Sequence, residues 1–253
     1  MKTLLRYSAL LLTVIASTDA AQAADPAAPI PFRAMAKVWI DEKGQPSRVQ
    51  ATAGLPAAVR ESIEQQVATW RFQSPVVDGL PRGGITYVAL GACAVPEPDG
   101  ALRLALAFNG NGPGYSDDTV MLPPPRYPVD LARRGQGGEW TVDYIVELDG
   151  SATFVGVVAD KPNQPGVKHV EPAMRDWVRS MRYVPEQIDG SPVRTRVSTP
   201  VTLSMARASS RKVIMDQQKR RLESSPECAA VMEQAEGDRP MALDSPFRRL
   251  GAG

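Results

Sequence analysis

Side chains that could carry out chemistry are few and far apart in this sequence. His169 is the only histidine, and it lies beside Lys168 with no serine or cysteine close by. General acid–base and nucleophilic catalysis need a base positioned against a second group. No carboxylate pair stands out, because Asp117 and Asp118 follow a Gly-rich stretch in which we expect them to be solvated. The sequence therefore predicts a protein that is not an enzyme.

Binding sites for a metal, a cofactor or nucleic acid are equally hard to find. The chain has no His/Cys cluster of the kind that holds a metal ion. Residues 110–114, Gly-Asn-Gly-Pro-Gly, lack the lysine and the strand-to-helix context of a phosphate-binding loop. Without the first 23 residues, basic and acidic side chains are equal in number, which gives no electrostatic case for nucleic acid or an anionic membrane. We expect no cofactor, no metal and no nucleic-acid partner.

The first 23 residues are typical of a secretory signal peptide. Lys2 and Arg6 precede an apolar run at 9–16, and the small residues Ala21 and Ala23 form a cleavage site. The apolar run is far shorter than the ~20 residues of a membrane span. Cleavage after Ala23 would give an exported, soluble protein, and the alternative is that the segment is retained as an anchor.

The two cysteines, Cys93 and Cys228, suit an exported protein, because disulfides persist in oxidising compartments. A bond between them would tie the first part of the chain to its C-terminal part. The spacing alone leaves two unpaired thiols as an equal alternative.

The sequence repeats itself at an offset of 111 positions. Five residues match without a gap: Arg71 with Arg182, Phe72 with Tyr183, Asp78 with Asp189, Gly79 with Gly190 and Pro81 with Pro192. Each matching stretch ends a helix, makes an Asp-Gly turn and enters a strand. We therefore predict two copies of one small unit.

The first copy, residues 32–95, has the pattern of two hairpin strands, a helix and a third strand. Alternating apolar residues predict strands at 32–40, 47–53 and 85–94. The helix between them carries its apolar face at spacings of four, four, four and three, on Leu55, Val59, Ile63, Val67 and Trp70. Residues 96–121 are predicted to be a connector, with strand-like apolarity at 101–108 and the boundary between copies near 109–114.

The second copy, residues 122–205, repeats this order behind a short helix at 129–134. Strands are predicted at 140–148, 152–159 and 194–205, with a helix whose apolar face includes Met174 and Trp177. The fold class is α+β: two small units, each a three-stranded antiparallel sheet with one or two helices on one face. Residues 206–253 are predicted to be a polar helical tail, with marginal helices at 208–223 and 226–236 and a loose end.

The ordered set of motifs in the second copy resembles the TonB C-terminal domain family, and the first copy resembles the same unit without its Tyr-Pro helix. The residues that carry the resemblance are Pro125, Tyr127, Pro128, Ala132, Gly135, Gly137, Gly138, Val142, Val146, Asp149, Gly150, Trp177, Arg182, Tyr183, Gly190, Pro192 and Val193. The resemblance implies a periplasmic domain that adds an extended segment of an outer-membrane receptor to a sheet edge and transmits energy from the inner membrane.

Two departures favour binding over energy transduction. The chain has a cleavable-looking signal instead of a retained anchor, and its Pro cluster at 122–128 reaches only ~20 Å, too short to cross the periplasm. We therefore predict a non-catalytic periplasmic protein-interaction module. The alternatives are a component of a TonB-type energy-transduction system for transmembrane transport, and a structural envelope protein that self-assembles, for example as a homodimer through its sheet edges.

Partner contacts are expected at the edge of the last strand and, by the resemblance, near the Tyr-Pro segment. The predicted contact residues are Arg126, Tyr127, Pro128, Arg194, Arg196, Val197, Thr199, Val201 and Leu203. The matching strand of the first copy, residues 84–95, is a further candidate edge. Plain packing is the alternative role for Tyr127, whereas Trp70 and Trp177 are predicted to be core residues.

Overall fold

The computed structural model describes residues 29–97, 102–116, 122–204 and 240–251. The elements up to residue 116 are β1 (Ile30–Ile40), β2 (Pro46–Ala51), α1 (Ala57–Ala68), β3 (Phe72–Gln73), β4 (Val76–Val77), β5 (Leu80–Pro81), β6 (Gly84–Pro96), β7 (Leu102–Gly112) and β8 (Gly114–Tyr115). The remaining elements are α2 (Val129–Arg134), β9 (Gly138–Val146), β10 (Ala152–Ala159), a 3₁₀ turn (Val167–His169), α3 (Glu171–Ser180), β11 (Tyr183–Val184), β12 (Gln187–Ile188), β13 (Ser191–Pro192), β14 (Thr195–Leu203), β15 (Met241–Ala242) and β16 (Arg248–Arg249).

The α+β class is confirmed, with an antiparallel three-strand centre in each copy. The order is β2-β1-β6 in the first copy and β10-β9-β14 in the second. One face of each sheet carries the alternating apolar residues and packs against α1 or α3, because successive side chains of a strand point to opposite faces. Both sheets are larger than predicted, since β7 pairs with β6 and β15 pairs with β14.

The repeat has the same local geometry in both copies. The N–H of Phe72 donates to the carbonyl of Gly44 at 2.9 Å, and the N–H of Tyr183 donates to the carbonyl of Gly150 at 2.8 Å. A Cβ atom at either glycine would overlap the facing carbonyl, so both positions need glycine. The Asp-Gly turns at 78–79 and 189–190 have positive φ at both residues, as a type I′ hairpin requires.

Strands from outside the three-strand centres join the two copies. β7 pairs with β6 of the first copy, and β8 then pairs with β11 of the second. In the reverse direction, β15 pairs with β14 of the second copy, and β16 then pairs with β3 of the first. The predicted connector is therefore largely a strand of the first sheet, and the Gly-rich stretch predicted as the boundary is the end of β7.

The prediction of a polar helical tail with a loose end is wrong for residues 240–251. This segment is extended, and Phe247 is only 1% exposed in the core of the first copy. Arg249 covers the rings of Trp70 and Phe108, with its guanidinium carbon 4.3 and 5.1 Å from their centroids. The helices predicted at 208–223 and 226–236 lie outside the described residues, as does the predicted signal peptide. Among the helices that the structure describes, none is both long and apolar enough to cross a membrane.

The hairpin of the second copy docks on the first copy. Gln187 and Ile188 pair with Ile85 and Gly84 at the start of β6, and the N–H of Asp189 donates to the carbonyl of Gly83 at 3.0 Å. Docking depends on Gly84, because a Cβ atom there would overlap the carbonyl oxygen of Gln187.

The equivalent position of the second copy is Thr195, at an offset of 111. Its Cβ atom excludes the same docking geometry at the start of β14. The corresponding hairpin of the first copy remains undocked within the described residues, with Val76 67% and Leu80 57% exposed.

Replacement of Gly84 by alanine should separate the docked hairpin from β6. The obstructing atoms belong to a backbone carbonyl and to Phe247 Cζ, 2.7 Å from the new Cβ, so relief requires a movement of the main chain. We expect Gly84→Ala to lower the free energy of unfolding by about 3 kcal/mol in urea denaturation. Gly156→Ala is the matched strand control, because nothing lies within 4 Å of its Cβ, and it should change stability by less than about 0.5 kcal/mol. Equal effects of the two changes would contradict this account.

Candidate functional site

An apolar groove with a volume of about 250 Å³ lies between the two copies, beside the edge of β14. One wall is the second half of β14, Thr199–Thr202. The opposite wall is the first sheet, through Arg33, Met35 and Ala89, and the Pro cluster closes one side through Leu122, Pro124 and Pro125. We call this site the edge groove. It includes part of the last strand, one of the two regions that were predicted to contact a partner.

Trp177 connects the core of the second copy to this groove. Its ring lies in the core with 8% of its surface exposed, and it also lines the groove. Its indole N–H donates to the carbonyl of Pro123 at 2.6 Å, which fixes the Pro segment against α3. Trp177 is therefore a core residue, as predicted, that also positions one wall of the groove.

The direction of the β14 main chain determines what the groove offers a ligand. The main-chain N–H and carbonyl of Arg196 both face away from β9. The N–H donates to the Asp244 carboxylate at 2.6 Å, and the carbonyl accepts from the N–H of Leu243 at 2.8 Å. Alternate residues of an antiparallel strand share this direction, so Ser198, Pro200 and Thr202 also face away from β9. Because proline has no N–H, the part of this edge beyond Ser198 offers one donor, on Thr202.

Partner contacts were expected at the edge of the last strand, and the first half of that edge is already paired within the chain. Met241 and Ala242 pair with Ser198 and Val197, and Arg196 is bonded to residues 243 and 244, so residues 196–198 already carry an added segment. Among the described residues, no strand pairs with this edge from Thr199 to Leu203.

The predicted contact residues of β14 divide by face. Val197, Thr199, Val201 and Leu203 point into the core of the second copy and are 2–7% exposed, so their side chains are not available as surface contacts, although Thr199 and Val201 also line the groove. The hydroxyl of Thr199 is bonded to that of Tyr144 at 3.0 Å. Arg194 and Arg196 are exposed and form ion pairs with Glu147 and Asp143 at 2.7 and 2.9 Å.

The Arg126-Tyr127-Pro128 segment lies beside the groove and does not line it. The Tyr127 hydroxyl donates to the carbonyl of Gln136 at 2.7 Å, and its ring packs on the core of the second copy. This is the packing role that was the alternative for Tyr127. Pro128 precedes α2 as its N-cap residue, and Arg126 is exposed.

The first copy does not offer the second candidate edge. β6 pairs with β1 along one side, and with β12 and then β7 along the other. Residues 84–95 therefore have no free edge for a partner. Cys93, near the end of this strand, is disulfide-bonded; Cys228, the only other cysteine of the sequence, lies outside the described residues.

A buried carboxylate that the sequence did not reveal lies where the two copies and the C-terminal segment meet. Glu186 is fully buried and accepts hydrogen bonds from the hydroxyls of Thr86 at 2.6 Å, Ser245 at 2.7 Å and Thr195 at 3.0 Å. Asn111 binds the same cluster through Thr86 and Ser245. The equivalent residue of the first copy is Pro75. Comparison of the two repeats therefore shows that the residue type differs at position 186, but it does not indicate what Glu186 does.

Burial raises the pKa of the Glu186 carboxyl above its ordinary value of 4.5, although the three hydroxyl hydrogen bonds lower it in part. Asp244, a nearby carboxylate, raises it further. Glu186 is the only strongly buried carboxylate that the described ranges contain. The same residues hold no group of three or more His, Cys, Asp or Glu arranged for a metal ion.

No family model, no curated protein and no solved structure matches this chain. The resemblance to the TonB C-terminal domain family therefore stays a prediction from the sequence.

The raised pKa of Glu186 makes stability depend on pH in a defined direction. Above pH 4.5 and below the raised pKa, the folded protein keeps a proton that the unfolded chain releases, so the free energy of unfolding falls as the pH rises through this window. Glu186→Gln keeps the shape of the side chain and removes its titratable carboxyl. The part of the decline in the free energy of unfolding that Glu186 causes should therefore disappear in urea denaturation measured from pH 4 to pH 8. Glu139→Gln, at a partly exposed ion pair with Lys161, is the control and should retain it. An unchanged decline in Glu186→Gln would contradict the assignment.

Proposed function

We propose that this chain is a non-catalytic protein-interaction module of the periplasm, which binds an extended segment of a partner protein in the edge groove. The observation that supports this most directly is the β14 edge, which lies in an apolar groove and already accepts one extended segment, residues 241–244. Main-chain hydrogen bonds to a sheet edge bind an extended peptide with little regard to its sequence, and neighbouring side chains supply selectivity.

The walls of the groove favour a particular kind of segment. Met35, Leu122, Pro124 and Pro125 present apolar surface to the space beside Thr202. Arg33 is the cation of this site and makes no ion pair with any acidic residue that the structure describes. The ligand that suits these walls is an extended stretch of apolar residues with a carboxylate placed near Arg33. By the sequence resemblance, an outer-membrane receptor or another envelope transport component is the partner class to test first.

A titration with extended N-terminal peptides of outer-membrane receptors tests this proposal. We expect amide shifts of the ¹⁵N-labelled protein at Thr202, Leu203, Arg33, Met35 and Ala89, which line or adjoin the groove. Shifts that cluster elsewhere, or none at millimolar peptide, would exclude the edge groove as the binding site.

The open half of the β14 edge, residues 199–203, has one main-chain donor, the N–H of Thr202. Loss of this donor should weaken binding. Thr202→Pro removes the outward N–H, and because this N–H faces away from β9 the change leaves the β9 ladder intact. One hydrogen bond contributes about 1 kcal/mol, so Kd should rise about fivefold in calorimetry. Thr202→Ala keeps the N–H and is the control, with an expected change below about twofold. Equal losses in the two variants would show that the side chain, and not the main chain, makes the contact.

A further inference from the structure

The C-terminal segment has two parts that differ in how firmly they are held. We call residues 240–244 the edge strap and residues 245–250 the anchor. The strap contributes a two-residue strand and two bonds to Arg196, and its side chains Met241 and Leu243 are 59% and 50% exposed. Its other apolar side chains, Pro240 and Ala242, are small and partly buried, with Ala242 against Gly112 of β7, so the strap buries only a small apolar surface.

The anchor is held by several independent contacts. Phe247 is buried in the core of the first copy, and Arg249 stacks on the ring of Trp70. The N–H of Leu250 donates to the carbonyl of Arg71 at 2.8 Å, and Ser245 binds Glu186. The anchor can therefore stay in place when the strap leaves.

The strap covers most of the hydrogen-bonding groups that the edge of β14 could offer. The outward groups of Arg196 and Ser198 lie opposite the strap, which leaves Thr202 as the only donor of the open half. A segment that bound the open half alone would gain at most three main-chain bonds, to the carbonyls of Pro200 and Thr202 and to the N–H of Thr202. A complete ladder along β14 needs the positions that the strap occupies.

We propose that the edge strap is an intramolecular substitute for the partner segment, which the partner displaces while the anchor remains docked. This inference rests on the proposed function and assigns a regulation to the same site. The strap protects a sheet edge that would otherwise invite pairing with any extended chain. It also lowers the apparent affinity for the partner, because only molecules with a released strap can form the full ladder.

Leu243→Pro releases the strap without touching the anchor. It removes the N–H that donates to Arg196, whereas Leu243→Ala removes the exposed side chain and keeps that N–H. We expect hydrogen exchange at the Arg196 amide to accelerate at least tenfold in Leu243→Pro and to change less than threefold in Leu243→Ala. The Leu250 amide, which reports on the anchor, should keep its protection in both. Asp244→Ala removes the acceptor of the Arg196 N–H itself, so it should speed exchange of that amide directly; in this variant the Ser198 amide, opposite Met241, reports on release of the strap.

Two outcomes would overturn the inference. If the Arg196 and Leu250 amides lose protection together, the strap and anchor are one unit and the strap cannot leave alone. If the Arg196 amide keeps its protection in Leu243→Pro and Asp244→Ala, the strap does not cover the edge.

A peptide with the sequence of residues 239–245 tests whether the released edge accepts a strand from another molecule. It should bind Leu243→Pro at least tenfold more tightly than the unmodified protein or Leu243→Ala. Equal affinity for all three proteins would overturn the inference. Receptor peptides that bind none of these proteins would overturn the proposed function alone, because hydrogen exchange and the 239–245 peptide report on the strap without them.

Discussion

The carboxylate of Glu186 connects three parts of this protein that are far apart in the sequence. Its two oxygens accept hydrogen bonds from Thr86 of the first copy, Thr195 of the second and Ser245 of the C-terminal segment. Burial of a carboxylate is costly unless both oxygens accept hydrogen bonds, and here the three hydroxyls supply those donors together. This requirement fixes where the hairpin after α3 meets β6, and it places residues 241–244 along β14.

The elements with strong periodicity could be predicted from the sequence, and the elements that join them could not. β1, β9 and α3 each carry an alternating or helical apolar pattern long enough to identify the element and its buried face. β15 and β16 have two residues each, and a period cannot be recognised over two residues. Their partners lie far away in sequence, so local propensity carries no information about them.

The position of the edge strand could be predicted from the sequence, whereas the accessibility of its side chains and main chain could not. The strand that forms the edge was correctly located, because its alternation is clear. Which side chains would be accessible depended on the face that packs on α3, and Val197 and Val201 are on that face. Whether the edge was free depended on the C-terminal segment. This segment has few apolar residues, interrupted by prolines, and its sequence therefore looks like that of a polar tail. One difference between the repeats, Gly84 against Thr195, was visible in the sequence, but its meaning required the approach of the Gln187 carbonyl.

The insertion of Phe247 into the core of the first copy has a consequence for how the chain reaches its native state during synthesis. The buried residues of that core lie between positions 34 and 90, yet the side chain that completes it is synthesised about 150 residues later. The contact between Arg248 and Gln73 spans 175 positions. Pairings this distant form late, because the entropy of closing the loop is lost before any contact is gained. A chain that is synthesised from its N-terminus therefore presents an incompletely closed first copy until residue 247 has been made, and folding of the first copy depends on that distant residue.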